Sequence, residues 1–417
     1  MAVEELDGRL AHSTIRPNPG EGAPSLYLSV LSGRHFLQIP GPTNLPERVL
    51  RAMDRPVVDH RSPEFAELLP RIVPLLRQVF GTDAGEIIIM SGSGTGGWES
   101  ALVNTLKPGD RVLACNNGQF GLGFGNAARR LGYEVEELAL DWGQEVRPDD
   151  LERKLRVTPE VKAVLVVHNE TSTGVTSDIG AVRGAMDRAG SEALLLVDTV
   201  SSLGSIEFRF DDWRVDVALC GSQKGLMMPP GQAYLCVSPR ALDISQNGGG
   251  APRNFLDWAP MLREYARGLF PFTPNTLMLF GLREALTMLV EEEGLPNVYD
   301  RHRRLADAVR SSVQAWNLSM MCEKPAYRSN TVTTVLVPDG MDGSAIVEHA
   351  RSRFNMSLGV GVGQSRQRAF RLGHLGSLNE LEVIAMVSGV EMTLREMGLP
   401  VSLGAAAAAC ERSFVAA

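Results

Sequence analysis

Six short, almost uninterrupted apolar runs constrain most strongly what this chain can fold into. They are EIIIM (86–90), RVLAC (111–115), AVLVV (163–167), ALLLVD (193–198), VALC (217–220) and AYLCV (233–237). A strand with one wet face alternates apolar and polar residues. Uninterrupted runs of this length belong to strands covered on both faces, as in a mostly parallel sheet. Longer stretches with helical periodicity lie between them, among them WESALVNTL, FGNAARRLG and DIGAVRGAMDRAG. Strands alternating with helices specify an α/β architecture, a mostly parallel sheet sandwiched by helices.

The texture changes after about residue 280. Two long helical patterns, GLREALTMLVEEE and VYDRHRRLADAVRSSVQAW, precede a β-rich segment, NTVTTVLVP, and two more helices. The last helix opens at Ser377–Glu380, whose spacing matches a capping box. A single core stops growing at about 250–300 residues, and this chain has 417. The expected organisation is a polar, Pro/Gly-punctuated arm over 1–35, a large domain over 36–285, a smaller α+β domain over 286–400 and a tail over 401–417. The Ala-rich tail, GAAAAACERSFVAA, is expected to be peripheral.

Composition excludes several function classes. A net charge of −8 disfavours a general nucleic-acid binder. No apolar run approaches the ~20 residues needed to cross a bilayer, and the acidic N-terminus lacks the features of a secretory signal. The five cysteines form no CxxC and the seven histidines no ligand spacing, so no disulfide framework and no metal site are expected. A cytoplasmic location follows as the simplest expectation. Glycine, at 42 residues, is in surplus, which points to tight turns or to backbone approaching a ligand.

Five motifs follow apolar strands or sit in unusually apolar surroundings. SGSGTGGWE (91–99) stands between a strand and a helix, where glycines let amides converge and the helix N-terminus favours an anion. It satisfies GxGxxG, but the acidic residue that a dinucleotide site needs after the next strand is missing, since Asn116 and Asn117 stand there. The alternative is a glycine turn without a ligand. In LLLVDTVSSLG (194–204), Asp198 closes a wholly apolar strand and is a ligand contact or a helix cap. In VALCGSQKGLMMPPG (217–231), Lys224 has small and apolar neighbours. A desolvated lysine becomes a nucleophile toward carbonyls, and the alternative is a solvated surface lysine. HNETSTG (168–174) offers hydroxyls and amides to a ligand, or turns and caps. In AFRLGHLG (369–376), Arg371 presents a fork suited to a carboxylate, or enters a structural ion pair.

Together these are the parts that pyridoxal phosphate chemistry needs: a phosphate cradle, an acid for the ring nitrogen, a carbonyl-reactive lysine and an arginine for a substrate carboxylate. The sequence also resembles the class V aminotransferases of PLP fold type I, in the alanine–glyoxylate and serine–glyoxylate branch. The likeness is carried by IPGPTNLPERVL, DHRSPEF, SGSGTGGWE, HNETSTGVTS, LLLVDTVSSLGS, GSQKGLMMPPG, FPFTPNTLMLFGLREAL and RLGHLG, from about residue 36 to 398. DHRSPEF and RLGHLG resemble the bacterial serine–glyoxylate enzymes in particular. Gln223 stands where related cysteine desulfurases usually carry His.

The resemblance implies a large domain with a seven-stranded-type sheet, and a role for each matching residue. Lys224 would bind the cofactor's carbonyl and shuttle a proton, and Asp198 would pair with the ring nitrogen. Phe120 would stack on the ring, where relatives often have Trp. Ser93, Gly94 and Thr95, helped by Gln223, would hold the phosphate, and Thr171 would contact the 3-hydroxyl. Arg371 would bind the substrate's α-carboxylate. Thr273 would reach the cofactor of a partner subunit, implying a homodimer with shared active sites that the arm could embrace. Phe270 and Phe272 stand where relatives often place a phosphate-binding Tyr. The implied activity is transfer of an amino group from an amino acid, L-serine foremost, to glyoxylate. Aspartate, alanine and ureidoglycine are alternative donors, and a PLP lyase or a non-enzymatic binding module are the remaining readings.

Overall fold

Each of the six apolar runs becomes a strand of one seven-stranded sheet. In this computed structural model, which describes residues 33–416, the order across the sheet is Glu86–Gly92, Gly231–Val237, Val217–Gly221, Leu194–Asp198, Ala163–Val167, Arg111–Asn116, Glu134–Ala139. Gly231–Val237 runs antiparallel to both its neighbours, and the other pairings are parallel. The mostly parallel α/β sheet expected from the runs is therefore present. Alternate residues enter two separate apolar layers: Ile87, Ile89, Leu113 and Cys115 pack on one face, and Ile88, Met90, Val112 and Ala114 on the other. Double coverage is why these runs carry no polar alternation.

The seventh strand, Glu134–Ala139, escapes a search for apolar runs because it reads EVEELA. It pairs along one side only and carries three glutamates, a composition that protects a sheet edge from further pairing.

A second sheet has the order Phe36–Gln38, Met356–Val360, Ala369–Gly373, Val332–Leu336, Ser319–Met320. Its first pair is parallel and the rest antiparallel. It packs on its own apolar core, which includes Leu305, Val313, Phe370 and Val387. Phe36–Gln38 thus joins the second sheet, although the sequence places residue 36 at the start of the large domain. From His35 onward the chain forms one compact unit. All but the last three residues of the 1–35 arm lie outside the described residues.

The C-terminal segment is not peripheral. Ala405–Val415 is a helix with Ala406 and Cys410 buried in the second core. Alanine has the highest helix propensity of any residue and only a methyl side chain, so the low-complexity run is a closely packed helix. Glu391, itself buried, holds its start: its carboxylate accepts the Gly404 N–H, the Ala406 N–H (2.7 Å) and the Trp316 Nε1–H (3.2 Å). The helix before it, Glu380–Glu396, is capped by Asn379 with Glu382 in a reciprocal box, two residues later than the Ser377–Glu380 spacing suggests.

Among the described residues no helix is long and apolar enough to cross a membrane, and the five cysteines are free and buried.

Glu391→Ala would leave the Ala406 and Trp316 donors buried without an acceptor. The expected loss is about 2–4 kcal/mol of stability, read as a lower Tm in thermal unfolding with activity per folded molecule unchanged. An unchanged Tm would show that the terminal helix is held by its apolar face alone.

Candidate functional site

Ligands of open α/β sheets bind outside the carboxyl ends of the parallel strands, and there this structure has a cleft. It encloses about 580 Å³ of empty space, its open mouth included. Eight of the residues expected from the sequence line it together: Ser93, Gly94, Thr95, Phe120, Thr171, Asp198, Gln223 and Lys224. Sequence separations of up to 131 positions collapse here because the strands that precede or end at these residues belong to one sheet, with only Gly231–Val237 between Glu86–Gly92 and Val217–Gly221.

Lys224 stands in the loop between Val217–Gly221 and Gly231–Val237. The loop is closed on itself by Ser222, whose hydroxyl donates to Pro229 O (2.6 Å) and whose N–H donates to Gln232 O (3.0 Å). A second segment clasps it: Thr43 N–H donates to Gln223 O (3.1 Å) and the Thr43 hydroxyl to Lys224 O (3.2 Å). Lys224 Nζ donates to Pro40 O. Gly41, with φ +103°, has no side chain because a Cβ there would overlap the Lys224 side chain. Burial lowers the Lys224 amine to about 8, and the Arg371 charge pushes the same way against Asp198.

Asp198 ends its strand with 4 % of its surface exposed. One carboxylate oxygen accepts Trp98 Nε1–H (2.7 Å) and the other Val200 N–H (2.7 Å). Burial pushes its pKa up to about 6 in spite of these two donors. A cation brought beside it would be stabilised by, and would hold, its ionised form. Trp98 is also stacked on Phe124, with ring centroids 5.3 Å apart.

Two helices begin at this edge, and their first turns are finished differently. Gly94–Thr105 has Ser93 at its N-cap with no side-chain cap bond, and its first backbone rung is Gly97 N–H to Ser93 O (3.0 Å). Of the amides ahead of that rung, those of Gly94 and Thr95 belong to residues that line the cleft. Gln119–Arg130 is filled from outside by Glu170, which accepts Phe120 N–H (3.0 Å) and Gly121 N–H (2.9 Å). The open N-terminus is therefore the one that faces the cleft beside Lys224.

Arg371 lies on Ala369–Gly373 of the second sheet, 8 % exposed. It is not among the cleft-lining residues but is tied to one: Nη1 donates to Thr171 O (3.0 Å), while Nε donates to Val360 O (2.8 Å). Thr273 lies elsewhere. It is exposed, in a separate depression shared with Phe255, Phe270 and Phe272. Phe270 packs on Tyr265 (5.0 Å between centroids) and Phe272 on Phe255 (5.2 Å).

Sequence reasoning missed Trp98, Glu170 and the 40–43 clasp. Trp98 was legible, since it follows Gly94 by four positions and shares its helix face. Glu170 sits inside the polar HNETSTG motif, where nothing marks one residue as the buried carboxylate. The clasp is a long-range contact without a local signature. Among the described residues no cluster of His, Cys, Asp and Glu could hold a metal ion.

The cleft presents an open helix N-terminus for an anion, a desolvated amine for a carbonyl, and a buried carboxylate for a cationic nitrogen. Gln223 adds a buried Oε1 with no partner, an amide poised to turn toward a ligand. Pyridoxal phosphate combines a phosphate, an aldehyde and a ring nitrogen that can carry a proton, so these residues fit it.

Comparison with known proteins agrees. The family model described as aminotransferase class-V matches residues 35–362. The serine–glyoxylate aminotransferase of Methylorubrum extorquens is 47 % identical over 90 % of this chain and 95 % of its own length. The L-aspartate–glyoxylate aminotransferase of Paracoccus denitrificans is 42 % identical over 92 % of this chain and 97 % of its own. The crystal structure of ureidoglycine–glyoxylate aminotransferase from Bacillus subtilis superposes with a TM-score of 0.85 at 27 % identity, covering 93 % of this chain and all of that one. With the α/β fold, the lysine–aspartate cleft and these matches in agreement, this chain belongs to the class V aminotransferases of fold type I.

Proposed function

We propose that this chain binds pyridoxal phosphate and transfers the amino group of L-serine to glyoxylate, releasing hydroxypyruvate and glycine in two half-reactions. The observation that carries the reading is the shared cleft of Lys224, Asp198 and the open N-terminus at Ser93–Thr95, with Arg371 fastened to its wall. Serine is preferred as donor because the 47 % identical relative bears that name.

In this reading the amides and hydroxyls at Ser93, Gly94 and Thr95, with Gln223, hold the phosphate. Asp198 keeps the ring nitrogen protonated, Phe120 covers the ring, and Thr171 meets the 3-hydroxyl. Bound there, the cofactor withdraws electrons from the substrate's Cα–H bond and stores the amino group between half-reactions. Lys224 Nζ takes the Cα proton and returns one, a task suited to an amine whose pKa lies near neutrality. Arg371 grips the α-carboxylate, the feature that serine and glyoxylate share. Thr273, remote from this cleft, serves the cofactor of a second copy in a cytoplasmic homodimer with shared sites.

Three outcomes follow. A depressed Lys224 is a neutral nucleophile at lower pH than an ordinary lysine, and protonation silences it. Borohydride-trapped uptake of pyridoxal phosphate by the cofactor-free chain should rise with pH and level off just above 8, and Lys224→Ala should trap none. A rate still climbing toward 10.5 would refute the depressed amine. Arg371→Ala should raise KM for serine and for glyoxylate together by about two orders of magnitude, read by steady-state kinetics, and unaltered constants would remove Arg371 from the site. A panel of amino donors against glyoxylate should give serine the highest kcat/KM. Aspartate in first place would replace the donor, and no transfer from any donor would overturn the function.

A further inference from the structure

Glu170 has no exposed surface, and the proposed chemistry gives it no task. A carboxylate is costly to bury unless its lone pairs are used. Here Oε2 accepts Phe120 N–H (3.0 Å) and Gly121 N–H (2.9 Å), and Oε1 accepts Ser172 N–H (3.0 Å) and the Ser172 hydroxyl (2.6 Å). The Ser172 hydroxyl oxygen in turn accepts Gln119 N–H (3.0 Å). The amides of 119, 120 and 121, which no helical carbonyl can reach, are thus all taken by one segment fifty residues further along. Gly118 makes room for it, since a Cβ there would overlap Glu170 and the Ser172 hydroxyl. Every partner of the carboxylate is a donor, so the site demands a group that accepts on both oxygens. Burial pushes the Glu170 pKa up, and these same donors pull it back.

Between Glu170 and Ser172 stands Thr171, which lines the cleft and whose carbonyl takes Arg371 Nη1 (3.0 Å). Three consecutive residues therefore tie the start of the Phe120 helix to the arginine of the second sheet. An ordinary cap supplied by the helix's own N-cap residue would fix Phe120 but not Arg371. We infer that Glu170 is a positioning residue for the transamination proposed above, its carboxylate fixing the Phe120 wall and the Arg371 rest as one unit.

The test compares full-length Glu170→Gln, Glu170→Asp and Ser172→Ala with the wild type, and with Glu391→Gln, a buried carboxylate far from the cleft's hydrogen bonds. In Glu170→Gln, one arm of the amide must meet a donor with a donor. Hydrogen exchange at the Phe120 and Gly121 amides should speed up roughly 10- to 100-fold, while Leu122, bonded to Gly118 O, changes less. The visible circular dichroism of pyridoxal phosphate in the holoenzyme should weaken, because its chiral surroundings include Phe120. KM for serine and glyoxylate should rise together by about tenfold, with a smaller fall in kcat. Glu170→Asp, still an acceptor on both oxygens, should recover part of each effect, and Glu391→Gln should lower Tm and alter none of them.

Wild-type KM values and dichroism in Glu170→Gln, or a Gln variant that outperforms the Asp one, overturn the inference. If Glu170→Gln does not fold, Ser172→Ala must show the same pattern in smaller measure, and wild-type behaviour there overturns it equally. A wild-type chain that takes up no cofactor and transfers no amino group sinks the proposed function and this inference with it. A fully active wild type beside an unaltered Glu170→Gln sinks the inference alone.

Discussion

The first turns of two helices set the chemistry of this cleft. A helix N-terminus presents amides that its own backbone cannot satisfy, and it attracts negative charge. Gly94–Thr105 and Gln119–Arg130 both begin at the carboxyl edge of the sheet, so the chain brings two anion-seeking ends to one place. It fills one with its own carboxylate, Glu170, and leaves the other uncapped by Ser93. A phosphate entering the cleft therefore meets one vacant set of amides. This is how a chain of net charge −8 can bind an anionic ligand: the attraction is local and comes from oriented backbone dipoles, which the overall charge barely touches at this range.

Burial supplies the second ingredient by moving two groups toward each other on the pH scale. The same desolvation lowers Lys224 to about 8 and raises Asp198 to about 6, because it penalises whichever form is charged. The amine becomes available as a base and nucleophile near neutrality. The carboxylate becomes dependent on a cation for its charge. Trp98 and Val200 each give Asp198 one hydrogen bond, enough to aim the carboxylate but not to offset its burial. A ring nitrogen that shares its proton with Asp198 would supply the missing compensation. A cationic group beside Asp198 would thus complete the electrostatics that burial leaves unbalanced.

The sequence disclosed the parts whose signals are local. Six strands were legible because double coverage removes polar alternation, Asp198 because a charge at the end of an apolar run is conspicuous, and Lys224 because its loop is otherwise small and apolar. The strand Glu134–Ala139 was hidden by the glutamates that protect its edge. The helix Ala405–Val415 was hidden by a composition that looks like filler and is good helix former. Glu170 was hidden for another reason: its meaning lies in its partners, Phe120, Gly121 and Ser172, and two of these are fifty residues away. Thr273 shows the converse limit. The resemblance singles it out, yet within one chain it stands apart from the cleft beside exposed Phe272, and its proposed role requires a second copy.

The segment that enters the second sheet first also ties the two sheets to each other. Phe36–Gln38 pairs in parallel with Met356–Val360, the strand next to the one that carries Arg371. Immediately afterwards the chain crosses to the large sheet, where Pro40 O takes the Lys224 amine and Thr43 holds the backbone of Gln223 and Lys224. Gly373, two residues past Arg371, lies so close under Ile39 that a side chain there would overlap it. Arg371 and Lys224 are thus linked by a stretch of eight residues at 36–43 as well as by Thr171 from the other side. The positions of Arg371 and Lys224 thus share one connecting segment, FLQIPGPT, whose sequence shows no local sign of that role.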